Sequence, residues 1–267
     1  MQLKVRHTTH YRYRIPASYA VQRLLLTPLD FASQKVRSWT IEAPGIATAL
    51  SYRDAFGNVV HVVTSRGTIE EVTVVAHGIV ETSDAAGVVK GLASPVPETV
   101  FLRHTKATLP NPAIAAMADA AQQGGGDTIA QLHVLMHDIR GRIAYVIGAT
   151  TAHTTAAEAL AEGRGVCQDH AHVFLGAARH MGLPARYVTG YIVTGDGNSA
   201  TASHAWAEVL IPTLGWTGFD ASNGVCPTEQ YVRVAAGLDA AGVVPVMGSR
   251  RGGEAETMAV EVNVTAQ

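Results

Sequence analysis

The first hundred residues alternate between apolar and polar positions with a period of two. Leu3, Val5 and His7 share one face of such a strand, and Lys4 and Arg6 share the other. This period predicts half-buried β-strands. The same pattern recurs after short turn signals, and it predicts strands at residues 11–15, 36–43, 59–65 and 68–79. We therefore expect residues 1–95 to form an antiparallel β-domain.

Clusters of glycine, proline, asparagine and aspartate separate these strands. They lie at residues 43–45, 54–58 and 65–67. Gly57 and Asn58 predict a tight hairpin, because both residue types adopt positive φ at low cost. The proline-rich segment 94–98 predicts a connector to a second domain over residues 96–267.

Beyond this connector the apolar spacing becomes helical. Asn111 and Pro112 open the first helix, since proline suits the first helical position. Asp127 is the expected N-cap of the second, and residues 154–158 resemble the capping arrangement of the third. Helices are predicted at residues 113–123, 128 to about 142, a short stretch that ends at Gly163, and Cys167 to about Met181.

Strands follow the last helix and predict the fold class. The pattern predicts them at residues 186–194, 202–211, 216–220 and 258–264, with a short turn or helix that starts at Cys226. Residues 248–256, rich in glycine, arginine and glutamate, are expected to form an exposed and mobile loop. The chain as a whole is predicted to be an α+β protein.

Composition limits the classes of partner. The 267 residues are 47% hydrophobic and 16% charged, which suits two folded domains, and the formal net charge is −2. Without a basic field, nucleic acid and anionic membrane are not expected as partners. No apolar run approaches the ~20 residues of a membrane span, and the first residues lack a signal-peptide centre. We therefore expect a cytoplasmic location.

Cysteine usage points to chemistry rather than to cross-links. Cys167 and Cys226 are the two cysteines, too few for a disulfide framework, and they form no recognisable zinc motif. Cys167 follows Gly165 at a predicted helix start, where unpaired amides and the helix dipole stabilise a thiolate. A buried, inert thiol is the alternative for any free cysteine. The polar neighbours Gln168, Asp169 and His170 favour a reactive one.

A predicted hairpin supplies partners for this thiol. If the strands pair about residue 212, His204 lies opposite Asp220, close enough for the carboxylate to accept a hydrogen bond from the imidazole. Taken singly, His204 fits an ordinary strand histidine and Asp220 an Asx turn. Together with Cys167 they predict a Cys–His–Asp triad.

Three blocks of sequence resemble the signature of the bacterial transglutaminase-like superfamily. The blocks span residues 165–172, 203–209 and 215–220, in the family's order and spacing. Residues 7–13 and 54–58 look like the β-domain that often precedes this core in bacteria. The resemblance implies a papain-like core without a metal or organic cofactor. It also implies roles for Cys167 as nucleophile, His204 as base and later acid, and Asp220 as the residue that orients His204.

Other site residues are less strongly indicated. The backbone N–H of Cys167 is a natural oxyanion donor, and the phenol of Tyr145 is our candidate for a second donor. Trp206 and Trp216 could line the substrate cleft or could pack beside the hairpin. His170 and His172 lie two apart on a helix, which argues against a metal-binding pair, and Cys226 is expected to be structural.

The expected activity is acyl transfer through a thioester. The leading hypothesis is a cysteine hydrolase, a protease or amidase, that acts on peptide, isopeptide or other amide bonds. A transglutaminase that passes the acyl group to an amine shares the same intermediate. A binding module that has lost its chemistry is a third alternative, which an intact Cys, His and Asp disfavour. The expected partner is a peptide, protein or small amide, and the sequence leaves the oligomeric state open.

Overall fold

A computed structural model describes residues 1–93, 95–193 and 203–267 of the chain. In chain order the elements are β1 (Gln2–Thr27), β2 (Gln34–Glu42), β3 (Leu50–Arg53), β4 (Val59–Thr82), β5 (Val88–Val89), α1 (Pro112–Gln123), α2 (Thr128–Arg142), β6 (Ala144–Tyr145), α3 (Ala156–Glu162), β7 (Arg164–Gly165), α4 (Cys167–His180), β8 (Ala185–Ile192), β9 (His204–Ile211), β10 (Gly215–Phe219), β11 (Tyr231–Gly237), β12 (Val246–Gly252) and β13 (Glu256–Ala266).

Two long strands, β1 and β4, form the centre of an antiparallel N-terminal sheet. β13 pairs with the first half of β1 and β12 with its second half. On the other side, β2 and β3 pair with opposite ends of β4. The predicted hairpin at Gly57 is present, with φ of 83° at this glycine and β3 and β4 on either side.

Two expectations for this sheet were wrong. The turn predicted at residues 65–67 is part of the continuous strand β4, where Gly67 adopts φ of 99° beside an irregular stretch of the β1 pairing. The loop predicted at residues 248–256 consists largely of β12 and the start of β13. Its side chains are polar because β12 is an exposed edge strand, and the backbone of β1 supplies its hydrogen bonds.

The second sheet carries the helices. Its strands follow the order β11-β8-β9-β10-β5, and all neighbours are antiparallel. α4 packs on this sheet and is buried along nearly its whole length, and Phe174 of α4 stacks on Phe219 of β10. The mostly antiparallel sheets and segregated helices confirm the α+β class.

The predicted helices agree closely with the observed ones. Asn111, Asp127 and Thr155 are N-caps whose side chains accept backbone N–H groups, as their sequence positions indicated. None of the helices in the three described stretches is long and apolar enough to cross a membrane. Thr194 and Ala202, which bound two predicted strands, and Ser94 of the predicted connector lie outside the described residues.

The two sheets share one core and a polar joint. Leu3, Val5 and Leu25 of β1 belong to the same buried cluster as the helices. The side-chain amide of Gln34 exchanges two hydrogen bonds with the backbone of Arg233, and that of Asn58 does the same with Ala236. The two amides thus hydrogen-bond to backbone groups of Arg233 and Ala236 on β11, which is an edge strand of the second sheet. The domain division at residue 95 stays a prediction. The last two strands, β12 and β13, belong to the N-terminal sheet although they lie at the C-terminal end of the chain.

Candidate active site

The start of α4 presents Cys167 at its first position. Val166 is the N-cap, and its N–H donates to Asp169 Oδ2 at 2.8 Å, while the Thr150 hydroxyl donates to the same oxygen at 2.6 Å. Gly165 is required here, because a Cβ at this position would lie 2.8 Å from both Cβ and Oδ2 of Asp169. The glycine and the capping carboxylate together set the position of Cys167.

The β9–β10 hairpin brings His204 and Asp220 together in a different register from the predicted one. Ile211 pairs with Gly215, so the strands pair about residue 213 rather than 212. The cause is a three-residue loop that closes with φ of 90° at Gly215. Extended by one residue beyond β10, this register places Asp220 opposite Trp206 and makes His204 the diagonal neighbour of Asp220. The pairing partner of Asp220 thus moves by two residues, and His204 and Asp220 stay on the same face of the sheet.

Asp220 is fully buried and accepts hydrogen bonds on both oxygens. Oδ2 accepts from His204 Nε2 at 2.6 Å, from Tyr231 Oη at 2.8 Å and from Asn223 Nδ2 at 2.7 Å. Oδ1 accepts from the Ser222 hydroxyl at 2.7 Å and from the backbone N–H groups of Ser222 and Asn223. Every neighbour donates, so the site is built for the ionised carboxylate.

The ionisation of His204 and Asp220 is coupled. Burial acts to lower the pKa of His204, but its interactions with Asp220 and Cys167 raise that pKa to about 10. Burial acts to raise the pKa of Asp220, and the hydrogen bonds from His204, Ser222 and Asn223 instead hold it well below its usual range. Near neutral pH the pair is an imidazolium and a carboxylate, with Nδ1 of His204 left for Cys167.

Tyr145 lies beside Cys167 because β6 and β7 pair in parallel. Tyr145 pairs with Gly165, and Val146 N–H donates to the Gly165 carbonyl at 2.9 Å. Burial raises the pKa of Tyr145 to about 12, with further contributions from the Cys167 thiol and from Asp220. The ring is half exposed, so the phenol reaches the thiol from the solvent side of the site.

Trp206 and Trp216 are both buried side chains of the β9–β10 hairpin. Trp206 is buried, with its ring 6.3 Å from that of His204 and in edge contact with Tyr231. Trp216 packs against Phe101, and the Arg186 guanidinium lies 4.0 Å above its ring. Both side chains therefore support the hairpin in this structure.

The remaining candidates have structural contacts. His170 lies with Nδ1 2.9 Å from the Val166 carbonyl and Nε2 3.0 Å from the Ile143 carbonyl. His172 Nε2 accepts the Ala240 N–H at 3.1 Å. Cys226 Sγ lies 4.0 Å from His133 Nε2. Within the described stretches, no group of three or more His, Cys, Asp or Glu side chains is arranged to hold a metal.

Sequence patterns did not assign Ser222, Asn223 or Tyr231 as partners of Asp220, although they offered an Asx turn as an alternative at Asp220. Ser222 and Asn223 carried a usable signal, because Asp-x-Ser-Asn is the pattern of an Asx turn, whose N–H groups point at the first carboxylate. Tyr231 carried none. It reaches Asp220 only because β11 folds back beside β8.

The fold is that of a papain-like α+β protein, and comparisons with known proteins give its family. Residues 115–221 match the model of the transglutaminase-like superfamily, and residues 3–81 match that of the bacterial transglutaminase-like N-terminal region. The chain is 31% identical to an uncharacterized Mycobacterium leprae protein over 285 residues, which cover 99% of this chain and 98% of the relative. The chain belongs to the transglutaminase-like superfamily.

Two further similarities agree with this assignment. An uncharacterized Mycobacterium tuberculosis protein is 29% identical over 280 residues, covering 92% of this chain and 86% of the relative. A crystal structure from Cytophaga hutchinsonii, described as a candidate cysteine protease, superimposes with a TM-score of 0.72 at 20% identity. That match covers 100% of this chain and 91% of the other, and it shows a shared fold.

Proposed function

We propose that this protein is a cysteine-dependent acyl-transfer enzyme that hydrolyses peptide, isopeptide or other amide bonds. Cys167 is the nucleophile, His204 is its acid and base, and Asp220 orients His204. One observation carries the proposal. His204 is held between Asp220, whose Oδ2 lies 2.6 Å from Nε2, and the Cys167 thiol at the start of α4.

The first half of the reaction forms a thioester. With His204 protonated, Cys167 attacks as the thiolate. A sulfur lone pair forms the S–C bond, and the carbonyl π electrons move to oxygen. When the tetrahedral intermediate collapses, those electrons return, the C–N bond breaks, and the His204 proton passes to the leaving nitrogen. The amine departs, the acyl group stays on Cys167, and His204 is neutral.

The second half of the reaction restores the enzyme. Neutral His204 takes a proton from water as the water oxygen bonds to the thioester carbon. The C–S bond then breaks, the acid leaves, and the thiolate and imidazolium are restored. Asp220 stays ionised throughout, since its six donors stabilise the carboxylate.

The oxyanion needs donors near the Cys167 sulfur. The Cys167 backbone N–H, at the start of α4, is one donor. We assign the Tyr145 phenol as the other, because the pairing of β6 with β7 places Tyr145 beside Cys167 and its ring is half exposed.

Water is the acceptor that the site favours. The surfaces beside Cys167 include the exposed residues His153, Ala241 and Met247, so the reacting carbon lies near solvent. Transfer to an amine would use the same thioester and is the competing outcome of the tests. We keep the cytoplasm as the proposed compartment, where both thiols stay reduced.

The proposal is tested by selective alkylation. We expect iodoacetamide near pH 7 to label Cys167 at least about tenfold faster than Cys226, because an adjacent imidazolium and a helix start favour the thiolate. Burial raises the pKa of Cys226, which makes it an internal control. His204→Gln should remove most of the difference. Mass spectrometry of the two tryptic peptides measures both rates in one sample.

The same samples separate the alternatives. Incubation with an activated ester should leave an acyl group on Cys167, which is released by water in wild type and absent in Cys167→Ala. Release that requires added glycine amide would indicate a transferase. Equal, slow alkylation of both cysteines, without an acyl adduct, would rule out the enzyme and favour a binding module.

A further inference from the structure

A cleft of about 420 Å³ lies beside the Cys167 and His204 positions, and the proposed mechanism does not use its apolar wall. Gln168, which follows Cys167, and Ser203, which precedes His204, both lie on its surface. Tyr187 lines it too, and burial together with the charge of Cys167 raises the pKa of that phenol. The cleft therefore begins at the residues next to Cys167 and His204, and Tyr187 is the lining residue that links it to the thiol.

One wall of the cleft is apolar and comes from the crossing between the two sheets. The chain leaves β11 and reaches β12 through a short 3₁₀ turn at Ala240–Val243. Along this path Ala240, Ala241, Val243, Val244, Pro245 and Met247 line the cleft, opposite Tyr187 and Thr189. None of the described residues on its surface is Asp, Glu, Lys or Arg.

This wall is held in place from both sides. His172 Nε2 accepts the Ala240 N–H at 3.1 Å, and burial lowers the pKa of His172 to about 4, so the ring is neutral and free to accept. Asp239 Oδ1 accepts the Gly242 N–H at 3.0 Å, which turns this carboxylate toward the backbone. From the N-terminal sheet, Leu25 N–H donates to the Pro245 carbonyl at 2.8 Å.

Charge and shape together indicate what the cleft accepts. A charged group packed against the apolar wall would lose part of its hydration and meet no Asp, Glu, Lys or Arg partner, which is costly, whereas an aliphatic group would gain burial. The volume lies in the range of small-molecule pockets. A second cavity, behind Trp206 and Tyr231, is only about 40 Å³ and is too small for such a group.

We propose that this cleft selects the acyl donor, and that the enzyme prefers substrates with an uncharged aliphatic group next to the reacting carbonyl. This inference rests on the proposed role of Cys167. It gives the N-terminal β-domain a function, because β1 holds the wall against which the acyl group packs. Met247 lies at the exposed edge of the wall and is the residue best placed to change the preference.

The test uses acetyl-aminoacyl chloromethyl ketones that differ only in side chain: leucine, valine, aspartate and lysine. In each, the sulfur of Cys167 displaces chloride, so the adduct is stable and its mass identifies the probe. We expect wild type to react with the leucine and valine probes at least about tenfold faster than with the aspartate and lysine probes. Rates are normalised to iodoacetamide, which carries no side chain.

A matched pair of variants locates the preference. Met247→Glu places a carboxylate on the cleft, and Met258→Glu places the same carboxylate on an exposed strand position outside it. We expect Met247→Glu to lower the leucine-to-lysine rate ratio about tenfold and Met258→Glu to leave it unchanged. Similar thermal melting of the two variants would show that neither effect comes from unfolding.

The outcomes are distinct. Fast alkylation of Cys167 by all four probes, or a preference for charged ones, overturns the cleft inference alone. The same holds if both variants keep the wild-type ratio. If no probe alkylates Cys167 faster than Cys226, the proposed nucleophile is wrong and the inference falls with it.

Discussion

At the scale of single residues, Asp220 is defined by the groups that surround it. Six donors converge on its two oxygens, and one of them is the imidazole of His204. An asparagine would match the shape of this residue, but its NH₂ group would face donors. In the proposed mechanism, the carboxylate keeps His204 in the orientation and charge state that the reaction needs.

We predict that Asp220→Asn lowers the rate of acyl-enzyme formation by about 10²- to 10⁴-fold, because His204 loses its charged partner. Cys167 should still be present and the fold retained, which circular dichroism and thiol titration check. Asp138→Asn is the matched control, since it removes only an exposed ion pair with Arg142. Wild-type rates in Asp220→Asn would remove this residue from the site.

Tyr145 gives the second prediction at this scale. If its phenol is the second oxyanion donor, Tyr145→Phe should slow acylation by about 10²- to 10³-fold while alkylation by iodoacetamide, which needs no oxyanion, changes little. Tyr52→Phe alters an equally exposed tyrosine on β3 and should change neither rate. A faster acylation in Tyr145→Phe would instead mean that the phenol blocks the thiol.

At the scale of elements, the start of α4 depends on a fit between Gly165 and the capping carboxylate of Asp169. We predict that Gly165→Ala forces Asp169 away and loses its bond from Val166 N–H, at a cost of about 0.5–2 kcal/mol in the free energy of unfolding. Alkylation of Cys167 should slow as well. Gly141→Ala, at a helical position with nothing within 4 Å, should instead stabilise by about 0.5–1 kcal/mol.

Equal melting of the two glycine variants would contradict this account of the helix start.

The element scale also shows how far sequence patterns reach. The N-caps Asn111, Asp127 and Thr155 were predictable because capping is a local interaction. The register of β9 and β10 was not, because the type of turn before Gly215 decides it by a single residue of loop length.

At the scale of the whole molecule, several charged side chains are buried within the second sheet. Arg186 and Arg233 both bond to the buried carboxylate of Glu208. Burial acts to raise the pKa of Glu208, but these two cations hold it below its usual value. The fold therefore contains several ionised side chains whose protonation changes when the chain unfolds.

We predict that the protein loses stability as pH rises from about 6.5 to about 10. His204 has an ordinary pKa of 6.5 and a pKa of about 10 in the fold, so the folded state retains a proton that the unfolded state releases in this range. The contribution is complete below 6.5 and is lost as pH passes through 10. Thermal melting across this range should decline less steeply in His204→Gln. Parallel declines would show that His204 is not charged in the fold.

The amino-acid sequence by itself determined the class of fold, the helices, and the nomination of Cys167, His204 and Asp220, because local periodicity, capping and short motifs carry that information. Only the tertiary structure decided what lies around them. Tyr231 reaches Asp220 from a strand that sequence patterns did not identify, and residues 248–252 are strand because β1 pairs with them. The apolar wall of the cleft at Val244 and Met247 lies where the chain passes from one sheet to the other, and contacts between segments far apart along the chain leave no local pattern.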